Sequence, residues 1–237
     1  MFRNGTYESA RSGGQMMTVS GAMGKTAFLL VLAFLSAGMT WSTVESNPGM
    51  ATMLLWTGLI GGLGLSLVTA FKKEWSPVTA PAYAVVEGLF LGVVSLMYGA
   101  QFEGIVFQAI ILTLAVALTM LSLYSMGVIR PTERFRAIVM SATIGVAVFY
   151  LVAMVLRMGF HIEVPLIHSS GAFGIGFSLF VVALAAFNLI IDFGMIEEGE
   201  QVGAPRYMEW YCGFALLVTL VWLYIEILRL LSKLRDR

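Results

Sequence analysis

Five stretches of this chain carry no charged residue over a length that matches the apolar core of a lipid bilayer. They cover residues 26–44, 46–71, 104–129, 137–156 and 164–191. Two more, 75–102 and 210–228, are each interrupted by a single acid, Glu87 and Glu226. A spanning helix needs roughly 20 mostly apolar residues at a rise of about 1.5 Å each. In lipid every backbone N–H and C=O must be satisfied internally, which leaves helices or a closed barrel. Barrel strands would alternate polar and apolar residues over about ten positions, and these runs do not. The expected fold class is therefore all-α: a polytopic membrane protein with seven transmembrane helices, in contact with the lipid bilayer.

Composition supports this. Hydrophobic residues make up 59% of the 237 residues and charged residues 12%, about half the usual share for a soluble domain. The predicted spans are 25–43, 51–71, 80–99, 104–125, 136–157, 167–191 and 209–231. Turn residues mark the joints: Asn47-Pro48-Gly49, Ser76-Pro77, Arg130-Pro131-Thr132 and Gly203-Ala204-Pro205. The expected organisation is a polar N-terminal tail over 1–24, one transmembrane domain over 25–231, and a basic C-terminal tail over 232–237. The first span has a long polar leader and no clear cleavage site, so it reads as a retained helix. GxxxG pairs at Gly58/Gly62 and Gly88/Gly92, and a cluster at Gly171, Gly174 and Gly176, suit close helix packing.

Formal charge is balanced, with 14 basic and 14 acidic residues, so no nucleic-acid partner is expected. With the N-terminus inside, the inner segments hold nine Lys/Arg and the outer loops only Arg157. The positive-inside rule then places the N-terminus in the cytoplasm. Four basic residues at the C-terminus, Arg229, Lys233, Arg235 and Arg237, run against that count. Cys212 is the single cysteine, expected as a buried thiol. His161 and His168 flank a short segment with Glu163 and Pro165, and solvated loop residues are the expected reading. No nucleophile–base constellation and no GxGD or YD-type protease motif is present, so an enzyme is not expected.

Chemistry is expected from acids inside or at the ends of apolar helices, where a charge costs several kcal/mol. Glu87 lies midway along the third run. Asp192 is expected to end the sixth helix, with Asn188 one turn before it on the same face; two oxygen-bearing side chains there suit a hard cation. Glu209 opens the seventh helix, where the helix dipole also favours an acid. Glu226 precedes Arg229 by three residues, and a local ion pair is the simplest reading. Glu197, Glu198 and Glu200 are expected to crowd one acidic loop.

The pattern Ala-Phe-Asn-Leu-Ile-Ile-Asp at 186–192 and the ending Ile-Glu-Ile-Leu-Arg-Leu-Leu at 225–231 carry a resemblance. The chain resembles the transmembrane Bax inhibitor motif family, in its bacterial YccA-type branch, over about residues 25–231. The resemblance implies six helices wrapped around a central seventh, in the bacterial inner membrane. It implies a pH-sensitive calcium leak governed by one acid on the sixth helix and one on the seventh, with no cofactor. The sixth-helix acid matches Asp192, which becomes the expected metal-contacting residue. A basic latch at the inner end of the second helix matches Lys72 or Lys73. Counting from Leu228-Arg229, the seventh-helix acid falls at Thr219, which cannot ionise. Glu209 and Glu226 lie about 15 and 10 Å from it along the helix. Either Glu209 or Glu87 replaces that partner, or this branch lacks the dyad. The expected function is pH-dependent flux of calcium or another cation. The alternative is a non-transporting regulator that binds another membrane protein, such as a membrane protease.

Overall fold

The computed structural model describes residues 16–160 and 171–236. His161, Glu163, Pro165 and His168, with Arg3, Arg11 and Arg237, lie outside the described residues, so the readings placed on them stay with the sequence. The described residues form seven long helices in the expected order: α1 Val19–Ser46, α2 Ala51–Phe71, α3 Ser76–Gln101, α4 Ile105–Ser125, α5 Glu133–Phe160, α6 Ala172–Gln201 and α7 Tyr207–Arg235. All seven are long and apolar enough to cross a membrane. No strand occurs among the described residues beyond an isolated bridge between Met16 and Pro205. The chain is thus an all-α, seven-helix membrane protein. Large apolar side chains such as Phe107, Leu118, Ile138 and Leu151 are exposed, as helix faces turned to lipid require.

The joints follow the turn residues. Pro48–Met50 and Lys73–Trp75 are single 3-10 turns, and Gly203 turns the chain after α6 with a φ of 67°. Thr132 precedes α5, and its Oγ1 accepts from the Phe135 amide, a regular N-terminal cap.

Most helix ends differ from the sequence expectation by a few residues, and three of the shifts change the reading of the chain's tails and of the end of α6. α1 begins at Val19, so residues 19–24 belong to the helix rather than to a polar tail. The Thr18 side chain caps it by accepting from the Gly21 amide. α6 runs ten residues past the expected end at 191. Its tail, Phe193 to Gln201, is rich in helix formers such as Met195, Glu197, Glu198, Glu200 and Gln201, which carry the helix through Gly194 and Gly199, and no proline occurs before Pro205. α7 continues to Arg235, which takes Lys233 out of the expected basic tail and into a buried position.

The described chain divides into two compact units. The first holds residues 16–101 and 194–218: α1, α2, α3, the end of α6 and the first half of α7. Small residues set its packing. A Cβ on Gly88 would lie 2.5 Å from the Ser36 side chain, and one on Gly92 would lie 2.6 Å from the Ala37 carbonyl, so α3 meets α1 backbone to backbone. On α2, Gly58 lies against the Phe90 backbone of α3, and Gly62 leaves room for the Glu87 side chain. The Ser36 hydroxyl donates to the Val85 carbonyl over 2.6 Å, and Thr69 donates to Thr79 over 2.8 Å. Cys212 is buried here, as expected.

The second unit holds residues 102–160, 171–193 and 219–236. Val139 and Val146 of α5 pack with Val181 and Leu184 of α6, and Trp222 of α7 covers them. α7 is the most buried of the seven helices over its apolar window and α5 the least.

Candidate functional site

Asp192 lies nine residues before the end of α6, inside the helix and not at its mouth. The expectation of a helix-end acid beside an acidic loop is therefore corrected. Glu197, Glu198 and Glu200 are helical, on the last turns of α6. Asp192 Oδ2 accepts a 2.6 Å hydrogen bond from Thr219 Oγ1 of α7. Both residues belong to the second unit.

Asn188 stands one turn before Asp192, but its amide nitrogen is engaged elsewhere. It donates 2.9 Å bonds to Thr143 Oγ1 of α5 and to the Leu184 carbonyl. The shared face predicted by the i, i+4 spacing holds; the amide nitrogen ties α6 to α5.

The other acids have partners of their own. Glu209, in the first turn of α7, is buried and its Oε1 accepts from the Thr18 amide at 3.1 Å and the Thr18 hydroxyl at 3.2 Å. Glu200 Oε1 accepts from the Val19 amide at 2.9 Å. Two carboxylates thus cover the N-terminus of α1, where free amides and the helix dipole favour negative charge. Arg206 stands 3.9 Å from Glu209. Glu87 shares a hydrogen bond with Tyr83, four residues earlier on α3, and lies against Gly62 of α2.

Glu226 has the local ion pair that its spacing suggested. Arg229 Nη1 lies 2.9 Å from both of its carboxylate oxygens. The Tyr150 hydroxyl of α5 donates to the same carboxylate at 3.0 Å and accepts from Arg229 Nη1 at 2.5 Å. One helical turn beyond, the Lys233 ammonium donates to the Gly174 carbonyl at 3.0 Å and to Ser178 Oγ at 2.9 Å.

Of the basic residues, Lys73 places its ammonium 5.3 Å from the Tyr211 ring centre and Lys72 is exposed. Both belong to the first unit and Asp192 to the second. Among the described residues no group of three or more His, Cys, Asp and Glu gathers as a metal cage would.

The family model described as Bax inhibitor 1 like matches residues 1–236. The chain belongs to the Bax inhibitor 1-like family. No curated protein and no solved structure matches it.

In this Bax inhibitor 1-like chain, Thr219 is the position where the resemblance expects the acid of the last helix. The structure brings that position against Asp192 and puts a hydroxyl there. Neither Glu209, bonded to Thr18, nor Glu87, bonded to Tyr83, nor Glu226, paired with Arg229, is the hydrogen-bonded partner of Asp192. Sequence reasoning missed Tyr83, Tyr150 and Lys233. Two signals were available: Tyr83 precedes Glu87 by four residues, and Thr219, Glu226 and Lys233 recur every seven residues on one face of α7. The Tyr150 pairing has no local signal, being 76 residues away in sequence.

Proposed function

We propose that the protein conducts a hard cation, calcium foremost, down its gradient, and that protons compete with the cation at Asp192. The observation that carries this reading is the Asp192–Thr219 pair: a carboxylate within an apolar helix, joined to the last helix through a hydroxyl. Intramembrane acids are costly and default to a role in ion or proton pathways. Calcium takes oxygen ligands, and the pair offers both a carboxylate and a hydroxyl. A cation held by so few protein oxygens keeps most of its water, which suits passage better than storage.

The sign of the pH effect follows from competition. A proton on the Asp192 carboxyl occupies the oxygen the cation needs and removes the charge that attracts it. Flux is therefore higher at neutral than at acid pH. The nine Lys/Arg of the inner segments against one in the outer loops between helices support a cytoplasmic N-terminus in a bacterial inner membrane, with the four at the C-terminus running against it.

Reconstitution tests the reading. Purified protein in calcium-free liposomes, with an internal calcium indicator, is expected to admit calcium faster than protein-free liposomes, and more so at neutral than at acid pH. Flux that is absent, or equal at both, contradicts it. A silent protein that co-purifies with a membrane protease would favour the regulator reading.

A further inference from the structure

Glu87 is a second intramembrane acid, and it belongs to the first unit. It lies in the interior of α3, on the seam with α2. α2 meets it with bare backbone: a Cβ on Gly62 would lie 2.7 Å from Glu87 Oε2, and one on Gly58 would lie 2.6 Å from the Phe90 amide nitrogen. The missing side chain at Gly62 makes the room the carboxyl occupies, and that at Gly58 lets the two helices close one turn away at Phe90. Its hydrogen-bond partner is the buried Tyr83, which in turn packs edge-on against Phe214 of α7 at 4.9 Å.

No counter-charge is supplied by the helices around it. α2 contains no ionisable residue, and α3 contains only Tyr83 and Tyr98 besides Glu87. α1 packs on α3 through Ser36 and Thr40 and carries Lys25 and Glu45. Lys25 lies over the Trp210 ring, 4.7 Å from its centre, and Glu45 is exposed. The turns of α7 next to Phe214 carry Tyr211, Cys212 and Glu209, the last bonded to Thr18. Among the described residues no salt bridge reaches Glu87.

A lone carboxylate in such surroundings is expensive, and one phenol hydrogen bond offsets only part of the cost. A hard metal ion would want about six or more oxygens; the carboxyl and the phenol supply three. The ligand that fits is a proton. We propose that Glu87 is a proton-binding site separate from Asp192, a membrane-embedded carboxylic acid whose proton exchanges with solvent and whose loss loosens the α2–α3 seam. A charge against the Gly62 backbone, with only the Tyr83 phenol to meet it, must draw water or part the two helices. This inference does not rest on cation flux.

Infrared difference spectra of the full-length protein in lipid, acid minus alkaline, read the protonated carboxyl directly. The expected result is two carboxylic-acid carbonyl components in wild type, one from Asp192 that is lost in Asp192→Asn and one from Glu87 that is retained there and lost in Glu87→Gln. A carbodiimide locates the same group: the acid O–H adds across one C=N bond to give an O-acylisourea, which rearranges to the isomeric N-acylurea with nothing leaving. Peptide mapping is expected to find the adduct on Glu87, declining toward alkaline pH. A carboxyl band identical in wild type and Glu87→Gln overturns the proposal, whatever the labelling shows. Should Glu87→Gln fail to fold, Tyr83→Phe carries the test: the pH at which the Glu87 band disappears must move, and an unmoved band overturns the proposal.

Discussion

The Thr219 hydroxyl donates to the Asp192 carboxylate over 2.6 Å, joining α7 to α6. A threonine therefore stands where a second acid would complete a carboxylate dyad. One carboxylate with a hydroxyl titrates as a single group, whereas two close carboxylates release their protons in two coupled steps. Thr219→Asp is expected to convert the first behaviour into the second. Its calcium flux, followed against pH in liposomes, should spread over a wider pH range than that of wild type. An unchanged profile would show that residue 219 does not share a site with Asp192.

Thr219→Val keeps the shape and removes the donor. An acceptor left unsatisfied away from water costs about 1–3 kcal/mol, so Thr219→Val should lower the thermal unfolding midpoint in detergent. Thr219→Ser, which keeps the hydroxyl, should lower it much less. Equal losses would assign the effect to packing of the γ-methyl.

Buried Glu226 forms a cluster with half-buried Arg229 and Tyr150 in which each side chain satisfies the other two. Removing one ion of such a pair leaves a buried charge and costs about 3–5 kcal/mol; removing both costs far less. Arg229→Met should therefore destabilise strongly, and the double variant Glu226→Gln with Arg229→Met should recover much of the loss. Glu226→Gln alone keeps a hydrogen bond to Tyr150 and should leave the pH profile of flux intact.

Glu209 acts on α1 as a cap. Glu209→Ala should cost about 0.5–2 kcal/mol, the usual range for a lost helix cap. Gly21 lies directly under this carboxylate, and a methyl group there would overlap it. Gly21→Ala should thus destabilise wild type but be far better tolerated in Glu209→Ala. A double-variant cycle on unfolding midpoints checks this: strictly additive effects would contradict the contact.

The seven spans are legible in the sequence because exclusion of charge from lipid is a signal carried along one dimension. The end of α6 is not. Glu197, Glu198 and Glu200 look like a solvated loop by charge, yet glutamate is a good helix former and the helix carries through Gly194 and Gly199 as far as Gln201. Glu200 then finds the amide of Val19, 181 residues away, a contact no local pattern announces. The start of α1 is hidden in part for the same reason: Thr18 is a local cap, but the two carboxylates that cover that helix end come from distant parts of the chain. Asp192 stands out as a lone acid in an apolar run, and Thr219 follows by counting along α7. Their meeting is a property of the fold, as is the commitment of Asn188 to Thr143 rather than to the acid beside it.

The most direct test of the account compares wild type with Asp192→Asn in liposomes across acid to neutral pH. Asparagine keeps the volume and can still accept from Thr219, but it neither ionises nor attracts a cation. The account predicts that calcium flux of wild type rises from acid to neutral pH, while that of Asp192→Asn is low and flat. A variant whose flux keeps the wild-type rise with pH would contradict it, and would place the proton sensor elsewhere in the chain.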